Sequence, residues 1–234
     1  MVDRFVHSPP RTKADEVYGK LRSDVLAGRR EPGSRLPFAE LCARYQASAG
    51  VVREGLSRLA EEGLVVATPQ RGFRVIPLTA DDLRDLTEVR LLNETLALRS
   101  AVVEGDSAWE SRIVQAHGRL DRTPQTGAAD PALMDDAWVA AHNAFHGALL
   151  SGCRNRRLLA IALSMRDASV LYQRWTLSIG QDTDRDAPAE HRELLDAALA
   201  RDPERAVAAL RAHVDRTTEV LLAALERLPA DAGS

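Results

Sequence analysis

Four of the six histidines in the 234-residue chain fall into a pattern with chemical meaning. His142 and His146 lie four apart in an apolar, helix-forming run, so their rings leave one helix face about one turn apart, a spacing at which two imidazoles can share an ion. His191 stands near the start of a later helical stretch. His213 lies in the middle of the last one, on the side marked by Val207, Leu210, Val214, Leu221 and Leu222. Neutral imidazole is the commonest side-chain ligand of Zn(II) and related ions, so these four rings converging inside a helical bundle would hold a divalent metal. A histidine on a helix is also commonly a surface or core residue, and spacing alone leaves that reading open. His7 and His117 have no partners by pattern and are assigned to the surface.

A second chemistry belongs to the stretch from Leu41 to Gly63. It reads as two short amphipathic helices broken at Gln46-Ala47-Ser48, with the Ser48 hydroxyl placed to cap the second. Val52, Leu56 and Leu59 share one face of that second helix, while Arg53, Ser57 and Arg58 point away from it. One face packs and the other can touch a partner. Two helices at a tight turn, the second carrying exposed basic residues near its start, form the arrangement that enters a DNA major groove. An ordinary helical hairpin has the same outline. After Gly63, the β-type runs 64–68 and 73–76 flank the turn Pro69-Gln70-Arg71-Gly72, and together predict a hairpin. Directly behind the helix pair, such a hairpin looks like a wing, with Arg71 supplying charge and Gly72 allowing close backbone approach.

The elements that must position these groups follow from periodicity. A loose arm covers Met1 to Arg11, a first helix runs from Lys13 to Gly28, and turn chemistry at Glu31-Pro32-Gly33-Ser34 leads through Arg35-Leu36-Pro37 into the next helix. From Thr79, a cap followed by Asp81 and Asp82, the chain is helical: 81–103, 107–120, 131–151, 156–179, 187–200 and 203–228. The fold class is mainly α, an N-terminal winged helix-turn-helix over 1–78 and an all-α six-helix bundle over 79–234. Scarce aromatics (4%) with 45% hydrophobic and 28% charged residues fit a soluble helical protein. No apolar run approaches the roughly 20 residues that span a bilayer. The two cysteines, Cys42 and Cys153, offer neither a disulfide framework nor a cysteine metal cluster. A cytoplasmic protein with no membrane partner is expected. The net charge of -3 divides unevenly: residues 1–78 hold 13 Lys and Arg against 9 Asp and Glu, and residues 79–234 hold 18 against 25. A basic first domain and an acidic second one suit a chain in which only the first meets phosphates.

The run PGSRLPFAELCARYQASAGVVREGLSRLAEEGLVVATPQRGFRVIPLT resembles the winged-helix domain of GntR-family transcription regulators. LRDLTEVRLLNE, HNAFHGALLSGCRN and EHRELLDAALARDPERAVAALRAHV resemble the ligand-binding FCD domain of the FadR-like branch, and six helices resemble its shorter, VanR-like form. The resemblance covers about residues 12–228. It implies a homodimeric DNA-binding repressor or activator whose bundle binds a small effector, often a carboxylate, at or beside a divalent metal held by an acidic residue and three histidines. By position the histidines are His146, His191 and His213, and the acidic position falls on His142. This exchange removes a negative charge and favours Zn(II) or Ni(II) over harder ions. Arg90 and Arg166 are candidates to pair with an effector carboxylate, against an Arg90–Glu94 ion pair as the structural alternative.

Operator readout falls on Arg53 for base contact, with Ser48, Arg71 and the Gly72 amide on the backbone and Arg35 as a further contact. Related recognition helices commonly begin Ser-Arg-Thr-Pro-Val-Arg-Glu-Ala, whereas here Ala49 and Gly50 stand at the two additional reading positions. The expected partner is a pseudo-palindromic double-stranded operator. Two rival readings are a metal-dependent enzyme built on the histidines and a helical assembly module with no DNA role. The enzyme reading lacks an acid or base placed beside the histidines, since Glu190 adjoins His191 but consecutive helical residues face different ways.

Overall fold

The computed structural model describes residues 12–126, 135–176 and 185–227, and divides into two compact units, Met1–Pro77 and Leu78–Ser234. The arm at 1–11, and the parts of the expected helices at 131–134, 177–179 and 228, lie outside the described residues.

In the first unit, α1 (Lys13–Leu26) starts on a capping box in which Thr12 and Asp15 satisfy each other's backbone amides. It ends with Gly28 at φ 67°, the left-handed position after a helix end. Helix α2 (Phe38–Tyr45) begins after Pro37 without a side-chain cap, and Gln46 closes it in the left-handed region. Helix α3 (Ala49–Glu61) opens on Ser48, whose Oγ accepts from the Val51 amide at 3.4 Å. Val17, Leu21, Leu41, Val52, Leu56 and Leu59 pack together between the three helices. Gly55 lets α1 and α3 approach closely, because a Cβ there would stand 3.0 Å from Leu21 Cδ1 and 3.5 Å from the Tyr18 backbone. Its low helix propensity is offset by that contact.

Strands β1 (Val65–Thr68) and β2 (Gly72–Val75) pair antiparallel with Val65 opposite Val75 and Thr68 opposite Gly72. Gly72, at φ 86°, is the first residue of β2, one place earlier than the periodicity suggested. A short third lane joins this ribbon: Arg35 bridges Arg74, with the Leu36 amide donating to the Phe73 carbonyl at 2.9 Å. The sequence marked 31–37 as turn and lead-in, since a single bridge residue has no periodicity to detect.

The second unit contains six helices among the described residues: α4 (Ala80–Glu104), α5 (Ser107–Arg122), α6 (Asp136–Leu150), α7 (Arg156–Thr176), α8 (Ala187–Leu199) and α9 (Pro203–Leu225). Helix α6 starts at Asp136, where the extended Asp135 turns its carboxylate onto the Ala137 and Trp138 amides. Caps at Thr79, Asp106, Asp186 and Asp202 open four of the others. The core is built of aliphatic side chains around two aromatics, with Leu98, Trp109, Ile113, Phe145, Leu149, Leu194 and Leu210 almost fully enclosed. No helix among the described residues is long and apolar enough to cross a membrane.

Candidate metal centre and nucleic-acid interface

His142 and His146 leave α6 on its buried face, with ring centroids 4.6 Å apart. Helix α8 brings His191 to 5.1 Å from the His142 ring, and α9 brings His213 to 4.8 Å from the His146 ring. One ligand atom from each of the four lies within 4.8 Å of the others. All four side chains are buried, and His142 Nδ1, His146 Nε2 and His191 Nε2 have no hydrogen-bond partner. Buried polar atoms are nearly always paired, so three unpaired nitrogens within one buried histidine cluster fit a set that could hold a cation.

The electrostatics fit the same use. Burial pushes the His142 and His146 imidazoles well below their usual pKa, with neighbouring histidines and Arg166 acting in the same direction. Burial lowers His191 to about 3, and lowers His213 in spite of an opposing carboxylate. Neutral imidazoles are the ligand form, so these four donors fit a divalent transition metal.

That opposing carboxylate is Glu190, whose Oε2 lies 2.7 Å from His213 Nδ1. Its position corrects the expectation that no acid stands beside the histidines. Glu190 is next to His191 in α8, but its carboxylate reaches across to His213 on α9. Arg185 grips Glu190 with both Nε and Nη2, at 2.8 and 2.6 Å. The surface assignment of His117 is also corrected: it is half-buried, edge-on to the Phe145 ring at 5.3 Å. His117, Thr123, Trp138, Pro188 and His191 line a cavity of about 130 Å³. Trp138 stacks on the His142 ring at 4.8 Å and so forms one wall between cavity and cluster.

Arg90 and Arg166 meet at one carboxylate. Arg90 Nε donates to Glu94 Oε1 at 2.8 Å, Arg166 Nη1 donates to Oε2 at 3.2 Å, and all three side chains are almost fully buried. Burial would raise the Glu94 carboxyl, but the two guanidinium charges hold it down. Each hydrogen bond uses one guanidinium nitrogen, leaving further N–H donors on both arginines.

In the first unit, Ser48, Gly50, Arg53, Arg35 and Arg71 are exposed and Gly72 is half-exposed. Arg53 lies over the Phe38 ring, 4.8 Å from its centroid, a support contributed by α2 that the spacing in α3 gave no sign of. Arg58 does not point freely outward as expected. It pairs with Asp15 at 2.9 Å and covers the Tyr18 ring at 3.8 Å, which ties α3 to α1.

Residues 13–75 match the family described as bacterial regulatory proteins, gntR family, and residues 85–216 match the FCD domain. The chain belongs to the GntR family of transcription regulators, with an FCD domain. Among its GntR relatives, the HTH-type transcriptional regulator BphR of Paraburkholderia xenovorans (strain LB400) is 37% identical, covering 90% of this chain and 86% of that protein. The HTH-type transcriptional repressor GlaR of Escherichia coli (strain K12) is 30% identical over 84% of this chain and 90% of that one. The solved structure of a GntR transcriptional regulator from Rhodococcus sp. RHA1 aligns at TM-score 0.72 and 25% identity, covering 92% and 99% of the two chains. E. coli McbR/YncC shares the fold at TM-score 0.77 and 18% identity over 91% and 98%. GntR membership makes the chain a transcription regulator and not an enzyme.

Proposed function

We propose that this GntR regulator acts as a homodimer in which the first unit reads a pseudo-palindromic operator and the second binds a divalent metal with a small organic acid beside it. The observation that carries the metal half is the buried four-histidine cluster with three orphaned nitrogens. His142, His146, His191 and His213 would hold the ion, and their all-nitrogen donor set favours Zn(II) or Ni(II). Bound there, the metal would supply Lewis-acid affinity for an anionic oxygen. Arg90 and Arg166 would orient an effector carboxylate through the donors not directed at Glu94.

Operator contact is assigned to Arg53 for base edges, with Ser48, Gly50, Arg35, Arg71 and the Gly72 amide along the backbone. Regulation then requires that the liganded bundle favour one arrangement of the two recognition helices on their half-sites. The effector can shift that balance only by as much as it prefers one arrangement over the other.

Elemental analysis of purified protein, alongside gel shifts on its own promoter, tests the reading. Stoichiometric metal in the wild type and its loss in His146→Ala are expected. Metal-free wild-type protein, or unchanged content in the variant, would overturn the metal assignment. Equal affinity for promoter and random DNA would overturn the operator assignment.

A further inference from the structure

Four imidazoles are neutral ligands, so a divalent ion among them keeps its full charge within a buried site. The resemblance of the α6 run to FCD domains places an acidic residue at position 142, where this chain has histidine. The carboxylate missing from the ligand set nevertheless reaches its edge from another helix. Glu190 Oε2 stands 2.7 Å from His213 Nδ1, and Arg185 Nη2 donates to the same oxygen at 2.6 Å.

Arg185 fixes this acid from outside. Besides its two bonds to Glu190, its Nη2 donates to Thr217 Oγ1 at 2.9 Å and to the His213 carbonyl at 3.3 Å. The same Nη2 lies 3.2 Å from His213 Nδ1, which would suit the opposite tautomer. The carboxylate contact decides the matter. It is shorter by half an ångström, and Arg185 already has better acceptors in Glu190 and Thr217. A carboxylate at Nδ1 requires hydrogen there, which leaves the lone pair on Nε2.

Resting on the metal reading above, we propose that Glu190, held by Arg185, is the positioning residue of the metal centre. It fixes His213 with Nδ1–H toward the carboxylate and Nε2 toward the ion. It also supplies, one layer out, the negative charge that His142 removes from the ligand set. Carboxylates behind metal-bound histidines act in this way, and their loss costs about 10- to 100-fold in metal affinity.

The test is Zn(II) affinity of the full chain by chelator competition, with Co(II) absorption as a reporter of ligand geometry. Wild type is compared with Glu190→Gln and with Glu193→Gln, which breaks an exposed pair with Arg205 on the same helix. Glu190→Gln should bind Zn(II) about 10- to 100-fold more weakly and show an altered Co(II) spectrum. Its metal-free melting temperature should move no further than that of Glu193→Gln. In a His142→Asp background the same substitution should cost much less, because the charge is back among the ligands. Unchanged Zn(II) affinity and Co(II) spectrum in Glu190→Gln would overturn the assignment, and an equal loss in both backgrounds would overturn its charge-compensating part. A wild type that binds no Zn(II) would instead remove the metal reading itself.

Discussion

Arg53 is an exposed side chain with an aromatic support beneath it. Its guanidinium rests on the Phe38 ring, so part of its rotamer freedom is already spent before any contact is made. Guanidinium also matches the O6 and N7 acceptors of guanine with two parallel donors, which an ammonium cannot do. Arg53→Ala is therefore expected to weaken operator binding by about 1 to 3 kcal/mol, and Arg53→Lys to retain affinity for random DNA while losing selectivity. Gel shifts with specific and scrambled competitors check both, and a lysine variant with full selectivity would move base reading to another residue. Ala49 and Gly50 offer no comparable side chain, so on this reading Arg53 carries more of the discrimination.

At the scale of elements, the second unit is joined by charge as well as by apolar packing. Glu94 on α4 receives Arg90 from its own helix and Arg166 from α7, all out of contact with water. Removing the one acid would leave two buried cations without a counter-charge, a far larger cost than the pair's net contribution when intact. Glu94→Gln should lower unfolding free energy by about 3 to 5 kcal/mol, read as a drop in the denaturant midpoint. A loss below about 1 kcal/mol would mean that water or a bound anion reaches the arginines. The spacing of Arg90 and Glu94 on one helix made their pairing legible. Arg166 joins from 72 residues away, and nothing in its own neighbourhood announces that partner.

For the molecule as a whole, the histidine cluster makes stability depend on pH. In the unfolded chain each imidazole titrates near 6.5, whereas burial keeps His142, His146 and His191 neutral far below that value in the folded one. Below 6.5 the unfolded state therefore binds protons that the folded state refuses, and stability falls as pH falls. The slope approaches about 1.4 kcal/mol per pH unit for each of the three histidines. Above 6.5 their contribution is level. Thermal melts of metal-free protein between pH 5 and 8 should show this fall on the acid side, and the His146→Ala variant should show a shallower one. A flat profile would place these rings in contact with water.

Much of this protein was decided locally and could be read from the chain. Ser48 and Thr79 are helix caps because their short polar side chains reach amides three residues on. The apolar faces of α3 and α9, the hairpin and the i,i+4 pair His142 and His146 follow from helical and strand periods of a few residues. What remained hidden depended on groups brought together across the sequence. Consecutive helical residues face different ways, so Glu190 gives no sign in the sequence of serving the histidines, and only the packing of α8 on α9 brings it to His213. His117 acquired a partner from α6, Arg53 a platform from α2, and Arg58 a tie to α1 by the same route. Spacing along one helix fixes which side chains share a face, but what that face meets is set by helices whose approach is summed over the whole core.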